Sequence, residues 1–331
     1  MKVIAMEDKI ECYDLYIPVG RACRTAHHLT LNELRNEAYP LDWMMAYSLD
    51  TVIHLFKTKF VDFFVNIEED NIGGDNKNRR IKDITNNIVS IHHFPRNVEV
   101  EKAKTEFLAK MNKRFKKLDD KLEKAKRVVL ICNRTDTIEK LQIFLKEFST
   151  LYPHLEIKLI NIREDENVEV NSYNTKQYVV TDFLSIEEYC FNDMFNTISN
   201  EEADWRGNVE VWGHILKGYY NKNNFEIMQK VKMENRNLVI YGAGKRCLTL
   251  LDKFDKYNIK IKGIAVTDLF NNPLSIRQYP VKTIEKYDKD DTIVISLADR
   301  DEAKIIQNTL FAKGYCNIFF VNDCYVLEKA F

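Results

Sequence analysis

Tyr13-Asp14-Leu15-Tyr16-Ile17-Pro18-Val19-Gly20-Arg21-Ala22-Cys23 is an apolar, strand-like run that stops at a glycine and hands the chain to a helix-like segment, Arg24 to Arg35. A strand followed at once by a glycine turn and a helix opens an α/β unit. Cys23 falls at the helix start, where the positive end of the macrodipole and unpaired backbone N–H groups lower a thiol pKa and favour the thiolate. The setting predicts a nucleophilic cysteine. The competing reading is a small apolar side chain in a buried first turn.

Working outward, strand-like and helix-like runs alternate from Leu15 to about Val180, as expected of a mainly parallel sheet. Predicted strands are Tyr13 to Val19, Ile88 to His93, Arg127 to Cys132, Glu156 to Ile162 and Gln177 to Thr181. Between the second and third, Ala103, Phe107, Met111, Phe115, Leu118, Leu122 and Ala125 recur at helical spacing, which predicts a single amphipathic helix over Val98 to Lys126. Its basic stretch, Lys113 to Lys117, is followed by Asp119-Asp120 and reads as a solvated face. Helices are expected over Ile186 to Ile198 and Val209 to Tyr220. The polar segment Asn221-Lys222-Asn223-Asn224 breaks the pattern, giving a first domain at 1–222, a linker at 223–236 and a second domain at 237–331.

The second unit opens on Asn237-Leu238-Val239-Ile240-Tyr241, a buried strand, then the turn Gly242-Ala243-Gly244 and a helix from Lys245 to Tyr257. Another strand, Ile259 to Val266, ends at Thr267-Asp268, and Thr292 to Ser296 and Asn317 to Val321 supply two more. The pattern predicts a Rossmann-like half-domain. Gly242 and Gly244 match two positions of the dinucleotide-binding glycine pattern, while Cys247 stands at the third. The N–H groups around Gly242, Gly244 and Lys245 could hold a phosphate, and Asp268 could meet a ribose hydroxyl, although it lies 26 residues after Gly242 against a usual spacing of about 20. A ligand-free structural turn fits the pattern equally well.

Composition narrows the classes. The 331 residues are 45% hydrophobic and 11% aromatic, enough for two cores. With 49 Lys+Arg against 50 Asp+Glu there is no global field for nucleic acid or an anionic membrane. Seven scattered cysteines lack a CxxC, which argues against a disulfide scaffold or a structural zinc site, so no metal is expected. The first residues lack an apolar signal core and no uninterrupted apolar stretch could span a membrane, so a cytoplasmic location is expected.

A base for Cys23 is sought among the histidines. His92 and His93 are strand neighbours, so one at most can face the thiol. His27, four residues after Cys23, shares its helical face and is a rival. Asn133 and Asp42 are candidates to orient the imidazole, and either could instead be a helix cap. Asp136 with Glu139 reads as a capping box. His54, His154 and His214 have no evident partners in sequence.

Val19-Gly20-Arg21-Ala22-Cys23, Ala38-Tyr39-Pro40-Leu41-Asp42-Trp43 and Ile91-His92-His93-Phe94 together resemble a bacterial family described as papain-like cysteine peptidases, over about residues 10 to 220. That family pairs a glycine-x-x-cysteine with a proline-phenylalanine-aspartate-tryptophan block and a histidine-aspartate-phenylalanine. Here Leu41 replaces the phenylalanine and His93 the aspartate, so the resemblance selects His92 as the base. Residues Ile240 to Lys245, Val266 to Asp268, Asn272-Pro273 and Tyr279 to Val281 are similar to Rossmann-like domains of surface-polysaccharide-modifying enzymes, which implies a nucleotide or nucleotide sugar. The expectation is therefore an α/β cysteine hydrolase or acyltransferase. Its thiol chemistry needs no cofactor, and it acts on a small-molecule, peptide or other acyl substrate. Two alternatives stand beside it: a nucleotide-sugar-dependent transferase without a covalent thiol step, and a binding or scaffold protein with an inert Cys23.

Overall fold

The computed structural model describes residues 10–20, 22–74, 77–193, 205–234, 237–321 and 327–329. Cys324 and residues 194–198 of the segment expected to be helical lie outside them. The chain divides into two compact units, Met1–Asn221 and Lys222–Phe331.

The first unit begins with β1 (Glu11–Tyr13), β2 (Leu15–Pro18), α1 (Arg24–Leu31), β3 (Met44–Met45) and α2 (Leu49–Lys57). There follow β4 (Ile67–Gly74), β5 (Arg79–Asp83), β6 (Ile88–Ser90), α3 (Val100–Leu122), β7 (Arg127–Asn133) and α4 (Ile138–Leu151). It ends with β8 (Glu156–Glu164), β9 (Asn174–Thr181), β10 (Leu184–Phe191), α5 (Val209–Leu216) and β11 (Tyr219–Asn221). Strands β2, β7, β8 and β10 lie side by side and parallel, with β9 antiparallel on the outer edge.

Alternation along β7 shows why this sheet is covered on both faces. Val128, Leu130 and Cys132 pack into one cluster with residues of α2, α3 and α4, while Val129 and Ile131 pack into another with Leu29 of α1 and Trp212 of α5. A strand buried on both faces reads as an unbroken apolar run, which is why it was legible. In α3 the periodic residues from Ala103 to Leu122 are all buried, and Ala125 follows just beyond the helix. Each large side chain so buried contributes about 1.5–3 kcal/mol.

Several expectations are corrected. Ile88 to His93 is a strand only to Ser90, and β6 belongs to a separate antiparallel sheet ordered β3-β6-β5-β4. The bends at 91–94 therefore follow no parallel strand. Ile186 to Phe191 is part of strand β10 rather than a helix, and α5 stops at Leu216. The helix at α4 is capped by Thr137, whose hydroxyl accepts from Lys140 N–H at 3.4 Å, rather than by Asp136. Most of the expected linker is helical, in α6 (Lys222–Glu234).

Strands β1 and β11 pair in parallel as a small sheet of their own. Buried charges tie it to the main sheet: Lys158 Nζ on β8 donates to Glu11 and to Glu187 of β10, each at 2.7 Å, and Tyr219 and Tyr189 both donate to Glu187. Like-signed carboxylates this close need the ammonium between them.

The second unit continues with β12 (Leu238–Tyr241), α7 (Lys245–Lys256), β13 (Gly263–Val266), β14 (Ser275–Ile276) and β15 (Tyr279–Thr283), then β16 (Thr292–Ile295), α8 (Arg300–Ala312), β17 (Ile318–Val321) and β18 (Leu327–Lys329). Its parallel strands run β15-β13-β12-β16-β17, with β14 and β18 antiparallel at the two ends. Numbered along the chain this order is 3-2-1-4-5, so the winding reverses between β12 and β16, where doubly wound sheets open a crevice.

Replacing Lys158 by methionine leaves Glu11 and Glu187 without their shared cation. Urea titration should show a loss of about 3–5 kcal/mol, the cost typical of breaking a buried pair, and an unaltered midpoint would mean the pair carries no net stability.

Candidate active site

The site is built at the carboxyl edge of the parallel sheet. After β2, Gly20 lets the chain turn between α1 and β7: a Cβ there would lie 2.7 Å from Thr25 Oγ1 and 3.4 Å from the Asn133 N. Cys23 then occupies the N-cap position of α1 in a helical conformation, and its carbonyl accepts from His27 N–H at 3.0 Å. The thiol is half-buried. Burial pushes its pKa up, and the pull of its own backbone N–H and of Arg24 does not offset that burial. The expected low-pKa thiolate is thus corrected, because desolvation outweighs the helix start.

Beside Cys23, Arg24 is fixed by a residue the sequence reading did not single out. Its Nη1 donates to Asp193 Oδ2 at 2.5 Å and its Nε to the Trp205 carbonyl at 2.9 Å. Asp193, two residues past β10, also accepts from Asn133 Nδ2 at 3.3 Å, Asn208 N–H at 3.0 Å and Trp212 Nε1 at 2.9 Å. Two donors thus reach each of its oxygens, which is how a fully buried carboxylate is tolerated. Burial still raises its pKa, with Arg24 the largest opposing influence. Gly207 closes the arrangement, since at φ +68° a Cβ would stand 2.3 Å from Asp193 Oδ1.

Arg134, buried just past β7, holds two loops at once. Its Nε donates to the Val19 carbonyl and its Nη2 to the Tyr47 carbonyl, both at 3.0 Å, tying the turn before Cys23 to the segment that carries Trp43. Trp43 and Ala46 there have φ of 65° and 69°, a left-handed conformation costly for a bulky side chain. The Trp43 ring meets His92 at 5.6 Å and Trp205 at 5.8 Å, and Trp205 in turn meets His27 at 4.8 Å, all edge to face. An aromatic corner thus separates the two candidate bases.

Among the described residues, the structure brings Asn133 to Asp193 and no histidine to Asn133. Asp42, expected as an orienter or a cap, is buried, with Oδ2 accepting from Arg35 and from Tyr39 N–H at 2.7 Å. It braces its own loop. His92 is exposed and in ring contact with Trp43, while His93 sits against Phe107 with Nδ1 2.9 Å from Ser90 Oγ. At Cys23 the largest influence is burial, opposed by the backbone N–H and by Arg24. His93 is held down to about 4 by burial, reinforced by Arg114 and Lys110. His28 stacks on Trp212 at 4.2 Å, donates from Nε2 to the Arg206 carbonyl at 2.7 Å, and is held down to about 3 by burial.

In the second unit, Gly242 has φ +108° and lies under Ser296, whose Oγ would be 2.9 Å from a Cβ at 242. Ser296 Oγ donates to the Tyr241 carbonyl at 3.0 Å, so the turn sits at the β12/β16 reversal. Around Gly244, the N-cap of α7, a Cβ would meet nothing within 4 Å. Cys247 is buried where the third glycine was sought, its thiol pushed up to about 11 by burial. Asp268 Oδ1 accepts from Phe270 N–H at 2.9 Å. Among the described residues no group of three or more His, Cys, Asp or Glu is placed to hold a metal ion, and no helix is long and apolar enough to cross a membrane.

Residues 14–166 match a protein-family model described as "Putative papain-like cysteine peptidase". The match runs from just before β2 to just past β8, and so takes in Cys23, Trp43, His92 and Asn133. No curated protein and no solved structure matches the chain.

Because folded His28 stays neutral to about pH 3 while the unfolded chain protonates near 6.5, its stabilising contribution is complete above 6.5 and is lost as the pH falls toward 3. Replacing it with glutamine should reduce the slope of unfolding free energy between pH 6 and 4 by about 1.4 kcal/mol per pH unit. Equal slopes in the two proteins would show that His28 charges in the fold.

Proposed function

We propose that the first unit is a cysteine-dependent hydrolase or acyltransferase with Cys23 as its nucleophile. The observation that carries this is the placement of a half-buried thiol at a helix start on the carboxyl edge of a parallel sheet, beside a fixed arginine, inside the region that matches the peptidase-like family. With burial raising the thiol pKa, attack needs a base. An imidazole takes the S–H proton, sulfur adds to the acyl carbonyl, and the tetrahedral centre collapses as the imidazolium protonates the leaving group. Water or another acceptor then attacks the thioester. N–H groups at the start of α1 would receive the oxyanion.

His92 is the base that the family resemblance implies, and it would act across the Trp43–Trp205 corner. His27 is the alternative, on Cys23's own helical face and against Trp205. Asn133, bound to Asp193, would act on the site through Arg24 rather than through an imidazole, and Asp42 would brace the Trp43 loop.

For the second unit we propose a nucleotide or nucleotide sugar at the Gly242 turn. Gly244 and Lys245 would meet its phosphates and Asp268 its ribose. The left-handed glycine at the sheet reversal and the open space at Gly244 support this reading. Such a ligand would fit an intracellular role in bacterial surface-polysaccharide metabolism.

Mixing the protein with an activated acyl ester should release a burst of about one equivalent of alcohol, with the acyl group mapped to Cys23. Cys23→Ala should abolish the burst, while Cys316→Ser, which removes an exposed thiol, should keep it. Loss of the burst in His92→Ala alone assigns the base, and loss in His27→Ala alone transfers it. A protein that never acylates at Cys23 belongs to one of the non-covalent classes. Thermal melts with NAD, UDP-sugars and CDP-linked compounds test the second unit: a rise abolished by Gly242→Val is expected, and no rise with any of them would leave the turn a structural one.

A further inference from the structure

We infer that Asp193 is a positioning residue for Cys23, acting through Arg24: it holds the guanidinium one residue beyond the thiol and fixes the Trp205 carbonyl on the same side chain. This deepens the nucleophile reading and rests on it. Three segments distant in sequence converge on this one carboxylate: the start of α1 through Arg24, the end of β7 through Asn133, and the first turn of α5 through Asn208 and Trp212. A carboxylate needed only to anchor the start of α5 would require the Asn208 and Trp212 donors alone. Asp193 also draws Arg24, the closest cation to the thiol in sequence, away from solvent, leaving its side chain 17% exposed.

Arg24 bonds in two directions from one planar group, Nη1 to Asp193 and Nε to Trp205. Trp205, so held, touches His27 on one side and Trp43 on the other. The pair therefore sets both where the guanidinium of the residue after Cys23 is held and the position of the segment whose ring lies between the two candidate bases. A lysine could supply the charge but could not bridge both acceptors in this geometry.

The test is the pH dependence of Cys23 alkylation by iodoacetamide, followed by peptide mass mapping, in Asp193→Asn, Arg24→Gln, Arg24→Lys and the double variant. If Asp193 positions Arg24, then Asp193→Asn lets the guanidinium leave, and the apparent thiol pKa rises, as it does in Arg24→Gln. Alkylation near neutral pH should slow by about 3- to 10-fold, and the double variant should match Arg24→Gln alone. A fall in the apparent pKa would mean that Asp193 acts only as a nearby negative charge, and an unchanged profile with a lowered melting point would mean that it only holds the fold together. Either result overturns the proposal. Should Asp193→Asn fail to fold, Arg24→Lys decides: an upward shift supports the two-way clamp, and a wild-type profile refutes it. Alkylation requires no turnover, so a chain that passes this test yet never forms an acyl adduct would lose the catalytic reading and keep the positioning one.

Discussion

The buried carboxylate of Asp193 is the constraint on which the arrangement around Cys23 depends. A charge with no solvent exposure survives only if its oxygens are fully hydrogen-bonded, and here the donors come from α1, β7, the turn at Asn208 and α5. Satisfying it forces these elements to meet at the carboxyl edge of the sheet. Gly207 must be a glycine because both its backbone angle and the oxygen beside it exclude a side chain. Arg134 does the corresponding work on the other side, joining the Val19 and Tyr47 carbonyls.

Two opposing effects act on the thiol held by this frame. A helix start and an adjacent guanidinium favour the thiolate, and burial disfavours it more strongly. Burial thus tilts Cys23 toward the neutral thiol. Under the proposed mechanism the thiol becomes nucleophilic when an imidazole approaches and accepts its proton. The aromatic corner of Trp43 and Trp205 lies between the two histidines that could make that approach.

Features set by local pattern were legible in the sequence: the two-faced strand β7, the stripe of α3, the glycine turn at 242 and the helix start at Cys23. What failed depended on distant partners. Ile186 to Phe191 of β10 reads as helical in sequence, since nothing local shows that Glu187 and Glu188 are buried against Lys158, Asn161 and Arg163. The His92/His93 alternation failed because β6 ends at Ser90, two residues too soon. Asn221 to Asn224 lies where the two units divide, but the linker expected after it is helix α6, with Asn224 buried. Asp193 escaped notice because its side-chain partners stand at 24, 133 and 212. The one available hint was a glycine followed by an asparagine at a helix start, a turn that leaves room for a buried acceptor.

The central claim is that Cys23 rests as a neutral thiol whose charge state is set by burial against a fixed Arg24. Its most direct test is a titration of the thiolate ultraviolet absorbance, taken as the difference between the native protein and Cys23→Ser. The account predicts a midpoint above the ordinary thiol value of 9.0. A midpoint below about 7, the range of activated thiols, would contradict it and point instead to a thiolate already paired with an imidazolium.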